Sequence, residues 1–202
     1  GINAGRLGFL ATVQKDNIPE FMQFIIDKKF SVSKRTLLSL SCLPENETIK
    51  DLNFAINEIS VSRKETTSMI TIDTYLNGEY LNSYWADGLI IATPTGSTGY
   101  SMSCGGPILI PNVQSFVITP IAPHNLNARP LVVPDETEFR LKISGRDDHY
   151  LVSLDSRIIS VKNDTILFIK KSTFEINMIE IPNETFLKTL RNKLYWGEDK
   201  RN

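Results

Sequence analysis

From Ile70 to Leu76 apolar and polar positions alternate strictly, with Ile70, Ile72, Thr74 and Leu76 on one face and Thr71, Asp73 and Tyr75 on the other. That is the period-two signature of a strand with one buried face. Asn77-Gly78 follows at once, a strong hairpin turn, and Glu79 to Trp85 forms its return strand, with Trp85 expected in the core. The same unit recurs. Glu138 to Ser144 sends Phe139, Leu141 and Ile143 inward and Arg140 and Lys142 outward. Gly145-Arg146-Asp147-Asp148 turns the chain back into a strand carrying Tyr150, Val152 and Leu154. Asp155-Ser156-Arg157 makes a second tight turn before strands at Ile158 to Val161 and Thr165 to Lys170. Earlier strands are predicted from Arg35 to Leu43 and from Leu52 to Ser62, separated by the turn Leu43-Pro44-Glu45-Asn46-Glu47, and Ser115 to Pro120 is a further buried one. Turns recurring about every eight to twelve residues favour a sandwich or barrel over a parallel α/β sheet. The predicted fold is mainly β, a β-sandwich-like domain of many short strands with a few short helices.

Helical spacing is confined to the ends. Phe21, Phe24 and Ile25 share one face of a predicted surface helix from Ile18 to Lys28, with Pro19 tolerable in its first turn. Asn183 can cap a second helix with Phe186, Leu187, Leu190 and Leu194 on one face. At the start, Gly1, Gly5 and Gly8 interrupt any periodicity, which fits either a plain loop or backbone kept close to something else. Between Ile121 and Pro134 three prolines exclude a helix and hold an extended path that includes His124.

The stretch Asp87 to Pro107 concentrates the polar chemistry. A short buried strand, Leu89 to Ala92, runs into a hydroxyl-rich turn from Thr93 to Ser97 and then about two turns of helix stopped by Gly105, Gly106 and Pro107. A helix start among small residues leaves N–H groups free for an anionic oxygen, and Thr95, Ser97, Thr98 and Ser101 add hydroxyls beside it. Equally, Thr95 or Ser97 merely caps the helix. Two enzyme motifs are absent. No Lys occurs between Lys64 and Lys142, so there is no phosphate loop, and Gly96-Ser97-Thr98-Gly99 is one residue too tight for a hydrolase nucleophile elbow. Asn57 and Glu58, adjacent within the predicted strand, project to opposite faces. An amide and a carboxylate so placed suit an adenine edge and a ribose diol, or are an exposed strand end.

Composition removes several classes of function. The chain has 202 residues, 41% hydrophobic and 22% charged, with a net charge of −1. It can bury a core, and it lacks the basic footprint of a nucleic-acid or acidic-membrane binder. Cys42, Cys104, His124 and His149 show no metal-ligand spacing, so no metal site is expected, and a reducing cytoplasm is the expected compartment. No apolar run is long enough to span a membrane.

Asp87-Gly88, Thr93-Pro94-Thr95-Gly96-Ser97-Thr98-Gly99-Tyr100-Ser101 and Gly105-Gly106-Pro107 closely resemble the glycine- and threonine-rich signature of NAD kinases. Three more segments agree in order and spacing: Gly1 to Leu10, the pair Asn57-Glu58, and Thr119-Pro120-Ile121-Ala122-Pro123-His124 leading to Arg129-Pro130-Leu131. The resemblance extends to Leu190–Gly197. It implies transfer of the γ-phosphoryl group of ATP, with a divalent cation such as magnesium, to the 2′-hydroxyl of the adenosine ribose of NAD, giving NADP. It implies dinucleotide contacts from Asn57, Glu58, Asp87, Thr98, Gly99, Tyr100, Ser101, Met102 and Ser103, with Thr95, Ala122, His124 and Arg157 as further candidates. Tyr100 offers a plane for adenine stacking. Asp87 is implied to reach nicotinamide from a neighbouring subunit of a homodimer or homotetramer.

There are departures from the family pattern. Gly99 stands where Ala is usual, and Arg157 where Gln is usual. The family's catalytic aspartate belongs to a Gly-Gly-Asp-Gly motif upstream of the segment that opens this chain. No such motif occurs in these residues, and the first residue is not Met. The expectation is therefore a truncated chain, largely without the family's α/β ATP-binding domain, that holds the NAD-binding side and no catalytic residue. Residues 1–30 are expected to form the junction with the absent domain, 31–175 the β-rich dinucleotide-binding domain, and 176–202 a tail that packs on the absent domain or a neighbour. An NAD(P)-sensing module without catalysis and a lipid-kinase relative remain as alternatives, the latter disfavoured by the polarity of the Asp87–Pro107 stretch.

Overall fold

The computed structural model describes residues 1–3, 8–11, 13–64, 68–182 and 184–195. Its strands are β1 (Ile2–Asn3), β2 (Val13–Gln14), β3 (Ser31–Leu43), β4 (Phe54–Ala55), β5 (Glu58–Arg63), β6 (Ile70–Leu76) and β7 (Glu79–Ala86). They continue as β8 (Gly88–Ala92), β9 (Ser115–Ile121), β10 (Leu131–Pro134), β11 (Phe139–Ser144), β12 (His149–Leu154), β13 (Arg157–Lys162) and β14 (Ile166–Glu180). The helices are α1 (Ile18–Ile26), α2 (Glu47–Asp51), α3 (Tyr100–Ser103) and α4 (Phe186–Leu194). The chain divides into two units, one made of Gly1–Arg35, Ile110–Asn112 and Ile176–Asn202, the other of Thr36–Leu109 and Val113–Glu175.

In the first unit β1 pairs in parallel with β2, and α1 begins with Pro19 in its first turn, where the missing N–H costs nothing. Phe9 and Phe186 meet with ring centroids 6.0 Å apart, and Arg35 pairs with Glu180 at 2.8 Å. The cap of α4 is Thr185, whose hydroxyl accepts from the Lys188 N–H at 3.2 Å. The expected cap, Asn183, lies outside the described residues.

The second unit is a pair of antiparallel sheets, in the orders β10-β9-β8-β5-β12-β13 and β4-β3-β14-β11-β6-β7. The alternating residues meet between them: Ile70 and Ile72 of β6 and Phe139, Leu141 and Ile143 of β11 join Ile59 and Val61 of β5, Phe116 and Ile118 of β9, and Tyr150, Val152 and Leu154 of β12. Burial of each such side chain contributes roughly 1.5–3 kcal/mol. Asn77 and Gly78 both have positive φ, 50° and 86°, as the tight hairpin turn between β6 and β7 requires. Strand β8 is buried on both faces. Leu89 and Ile91 face the main core, while Ile90 and Ala92 pack with Val117 into a smaller cluster that Cys104 and Leu109 join. The Thr93–Leu109 segment is thereby folded onto the outer face of β8 and β9.

Several expectations are corrected. Leu52 to Ser62 is not one strand: β4 and β5 are separated at Ile56 and Asn57, so Asn57 precedes the strand and Glu58 opens it. The turn after Pro44 leads into α2, whose first turn is capped by the Asn46 side chain accepting from Thr48 N–H at 3.0 Å. The two-turn helix after Thr93 is a 3-10 turn over Gly96–Thr98 and a single α-turn at α3. The last strand continues past Lys170 to Glu180. Trp85 is 52% exposed, not core, because the alternation of β7 puts Tyr84 and Ala86 inside instead. On α4, Leu187 is 55% exposed and Thr189 is the buried residue.

Candidate functional site

The segment joining β4 to β5 has no ladder partner at Ile56 and Asn57, and it is held by residues far away in sequence. Asp155 sits in the two-residue turn between β12 and β13 with φ 53°, a left-handed conformation that a short polar residue tolerates. Its carboxylate accepts from three consecutive backbone N–H groups: Ile56 at 3.1 Å, Asn57 at 2.7 Å and Glu58 at 3.3 Å. From the other side, Thr93 N–H donates to the Asn57 carbonyl at 2.9 Å and the Thr93 hydroxyl donates to the Ile56 carbonyl at 2.6 Å. Thr93 Oγ1 in turn accepts from Gly96 N–H at 3.1 Å. Gly96 is then pressed on Asn57 so closely that a Cβ would lie 2.0 Å from the Asn57 carbonyl oxygen. The Asn57–Glu58 pair and the glycine-rich turn form one unit because backbone touches backbone.

Within that unit the hydroxyls are mostly spent on structure. Ser97 donates to the Pro94 carbonyl at 2.7 Å and accepts from Leu109 N–H at 2.9 Å, and Thr98 donates to the Thr95 carbonyl at 3.2 Å. Ser101 is fully buried with its hydroxyl 2.8 Å from that of Thr119. The helix is one turn long, and ahead of it Gly96 and Ser97 N–H are bonded back to Thr93 and Gly99 N–H to Gly96, so these three are not free for an anionic oxygen. Open to solvent are Gly99, Tyr100 and Ser103, with Met102 half-buried.

Glu58 carries the chemistry that is left over. Its Oε2 is buried without a hydrogen-bond partner, and it lies against Gly99, where a Cβ would stand 3.2 Å from it. Burial, and secondarily the charge of Asp155, push the Glu58 carboxyl up to about 7 from an ordinary 4.5. Because the folded value exceeds the unfolded one, the folded state retains a proton that the unfolded chain has released at intermediate pH. The cost of ionised Glu58 is therefore absent below about 4.5, grows as pH rises, and is complete above about 7. Denaturant midpoints measured from pH 4.5 to 7 should fall relative to those of Glu58→Gln, which cannot titrate. Parallel profiles would show that the carboxyl is not perturbed.

A second group surrounds Asp87, at the turn between β7 and β8. Arg63 pairs with it at 3.0 Å, and Asp87 N–H donates to the Ile121 carbonyl at 3.0 Å. Burial raises the Tyr100 phenol, with Cys104 and Asp87 adding to the effect, so Tyr100 lies within the field of Asp87. Trp85 and His124 meet beside this turn, their rings tilted at 53° with centroids 5.1 Å apart, and Ala122 takes a positive φ of 44° in the loop that leads to His124. Arg157 follows the same hairpin tip as Asp155. It donates to the carbonyls of Leu52 at 2.9 Å, Leu154 at 3.3 Å and Phe54, and so reaches backbone where a ligand contact was expected. Sequence reasoning missed Arg63 and the roles of Asp155 and Thr93. A carboxylate in a two-residue hairpin turn was the available signal for Asp155, and Arg63 gave none.

Among the described residues no group of three His, Cys, Asp or Glu side chains could hold a metal ion, and no helix is long and apolar enough to cross a membrane.

Comparison with known proteins places this two-sheet domain and its glycine-rich turn in a class of nucleotide kinases. A family model for the ATP-NAD kinase C-terminal domain matches residues 56–181, from the Asn57–Glu58 segment to the end of β14. An NAD kinase of Flavobacterium psychrophilum is 77% identical over the whole of this chain and 69% of its own length, and that of Flavobacterium johnsoniae is 71% identical over the same shares. An NAD kinase of Cytophaga hutchinsonii is 49% identical over the whole chain and 68% of its own length. Among solved structures, yeast NADH kinase complexed with NADH superposes with a TM-score of 0.89 at 25% identity, over 98% of this chain and 60% of that one. An NAD kinase from Archaeoglobus fulgidus in complex with ATP gives 0.75 at 30% identity, over 96% and 71%. The chain belongs to the NAD kinase family.

Proposed function

We propose that this chain carries the dinucleotide-binding side of an ATP-dependent NAD kinase, which phosphorylates the 2′-hydroxyl of the adenosine ribose of NAD to give NADP. The observation that carries this reading is the buried, unpartnered Oε2 of Glu58, held in place from both sides through the backbone of Asn57. A carboxylate with free lone pairs is the group that accepts two ribose hydroxyls, and a ligand would supply the partner the fold withholds. Gly99 lies against the carboxylate, and Tyr100, the next residue and 46% exposed, offers its ring for stacking. Asn57, Thr98, Met102 and Ser103 complete the surface, and Asp87 with its Arg63 partner serves the nicotinamide end of a dinucleotide bound by a neighbouring subunit of a homo-oligomer. Yeast NADH kinase was crystallised with NADH and the Archaeoglobus enzyme with ATP, which supports both ligand classes for the whole enzyme.

Phosphoryl transfer depends on positioning and on stabilising charge rather than on covalent help from the protein. These residues hold and orient the acceptor ribose. A divalent cation, when bound, would neutralise charge on the phosphates, and no ligand for it is assigned among the described residues. The working compartment is the cytoplasm, and the 202 residues by themselves transfer no phosphoryl group.

NAD titrated into the protein at pH 8 should bind, and Glu58→Ala should weaken that binding at least about tenfold, the cost of one or two hydroxyls left without a charged acceptor. Since the ionised carboxylate is the acceptor, wild-type affinity should also fall as pH drops below about 7, and the variant's should not. Equal affinities with both chains folded would rule out Glu58 as the ribose contact.

A further inference from the structure

We infer that the tip of the β12–β13 hairpin, Asp155 together with Arg157, is a positioning device that holds the span 52–58 by its backbone and thereby sets the strength of the Asn57–Glu58 contact with its ligand. The inference rests on the dinucleotide reading above and assigns two residues that do not themselves touch the ligand.

The geometry is unusual for an acid and a base two residues apart. Asp155 and Arg157 approach only to 4.0 Å, and each spends its charge on main chain from the same distant segment. The carboxylate takes the N–H groups of Ile56, Asn57 and Glu58, while the guanidinium takes the carbonyls of Leu52 and Phe54. Acceptor and donor thus grip opposite polar groups of one stretch, and the Arg157 guanidinium also lies 5.2 Å from the Phe54 ring centre. The return bond closes the arrangement: Asp155 N–H donates to the Glu58 carbonyl at 3.0 Å. The hairpin holds Asp155 at φ 53°, a turn conformation that a short polar residue tolerates, and its side chain is presented to the segment from there.

A ladder normally fixes the backbone of a binding strand. Here β4 is two residues long and Ile56 and Asn57 belong to no strand, so charge-assisted bonds from the hairpin stand in for the missing ladder. A single bond would leave the segment free to rotate about it. Bonds to both N–H and C=O groups along the span fix its direction, and with it the line along which the Glu58 carboxylate leaves the backbone. The planar fork of arginine is suited to two separate carbonyls, which one ammonium group cannot reach together.

The test uses Arg157→Lys in the protein at its full natural length, since lysine keeps the charge and loses the fork. NAD affinity should fall about tenfold, as expected for a site whose acceptor is displaced by a fraction of an ångström. The amide protons of Asn57 and Glu58 should exchange faster, and the Glu58 carboxyl should titrate at a different pH when followed by carbon NMR. A residue that only stabilises the hairpin would lower the melting temperature and leave NAD affinity and the Glu58 titration where they were, and that result would overturn the inference. Asp155→Asn removes the charge and keeps one acceptor oxygen, enough for the Asn57 and Glu58 N–H groups but not for that of Ile56, which bonds the other oxygen, so the Ile56 amide should exchange faster while the Glu58 carboxyl titrates nearer its ordinary value. If Arg157→Lys does not fold, Arg157→Gln carries the same comparison, with one amide donor left to reach a carbonyl. Glu58→Gln run in parallel separates the two failures. Loss of affinity there with none in the Arg157 variants sinks the positioning role alone, and no loss in either sinks the dinucleotide reading and the inference with it.

Discussion

Gly96→Ala is expected to be the most damaging small substitution in the chain. A methyl group there would stand 2.0 Å from the Asn57 carbonyl oxygen, 2.3 Å from its carbonyl carbon and 2.7 Å from its Cα. All three are backbone atoms, and the Asn57 peptide is fixed by Asp155 on one side and by Thr93 on the other. Nothing can rotate out of the way. Either the glycine-rich turn lifts off β5, breaking the bonds from Thr93, or the Asn57 peptide shifts and breaks those to Asp155. Overpacking against unyielding backbone should cost at least about 3 kcal/mol, which for a chain of this size lowers the melting temperature by roughly 6–12 °C. NAD binding should be lost in the same variant at temperatures where it remains folded. Gly99→Ala is the comparison: its nearest contacts would be 3.2 Å, to the Glu58 Oε2 and the Gly96 carbonyl oxygen, so a neighbour has to give by only a few tenths of an ångström. Alanine at that position should cost clearly less stability than Gly96→Ala. A Gly96→Ala protein that melts with the parent would mean that the turn and the Asn57 peptide are not in contact.

The second large effect is on turnover. These 202 residues are expected to form no measurable NADP from NAD, ATP and magnesium, whereas the same chain extended through a Gly-Gly-Asp-Gly motif should be active. The two carboxylates at the site are already committed. Asp155 is occupied by three backbone N–H groups, and Glu58 is the acceptor proposed above for the ribose hydroxyls. Absence of a positioned general base typically costs about a hundred- to ten-thousand-fold in rate, which is the size of difference the comparison of the two chains reads. Comparable turnover by the two chains would place the base within these residues and make Glu58, with its raised value of about 7, the first group to examine.

The strand pattern was legible because its information is local. Ile70 to Leu76 alternates, Asn77-Gly78 turns, and the structure places Ile70 and Ile72 in the core and both turn residues at positive φ. Period-two burial and left-handed turns follow from steric rules that act within a few residues. The continuous apolar run of β8 likewise reports burial on both faces. The same reasoning failed where a residue's surroundings come from elsewhere. Trp85 looked like core by its size and is exposed, since size does not say which face of β7 meets the other sheet. The hydroxyls from Thr95 to Ser101 looked like ligand donors and are largely internal ties, since a short polar side chain bonds its own backbone whenever the turn allows.

By itself the amino-acid sequence determined the strands, their turns, the mainly β class and the membership of Asn57, Glu58, Asp87 and the Thr98–Ser103 segment in one family pattern. Only the tertiary structure decided what holds them. The bond from Asn57 N–H to Asp155 spans 98 positions and that from Arg157 to Phe54 spans 103. Bonds of that length leave no periodic trace in either segment, because each partner obeys only the conformational rules of its own turn. The unpartnered oxygen of Glu58 is likewise a property of the closed fold: desolvation arises only when Gly99 and the hairpin tip have come together around the carboxylate.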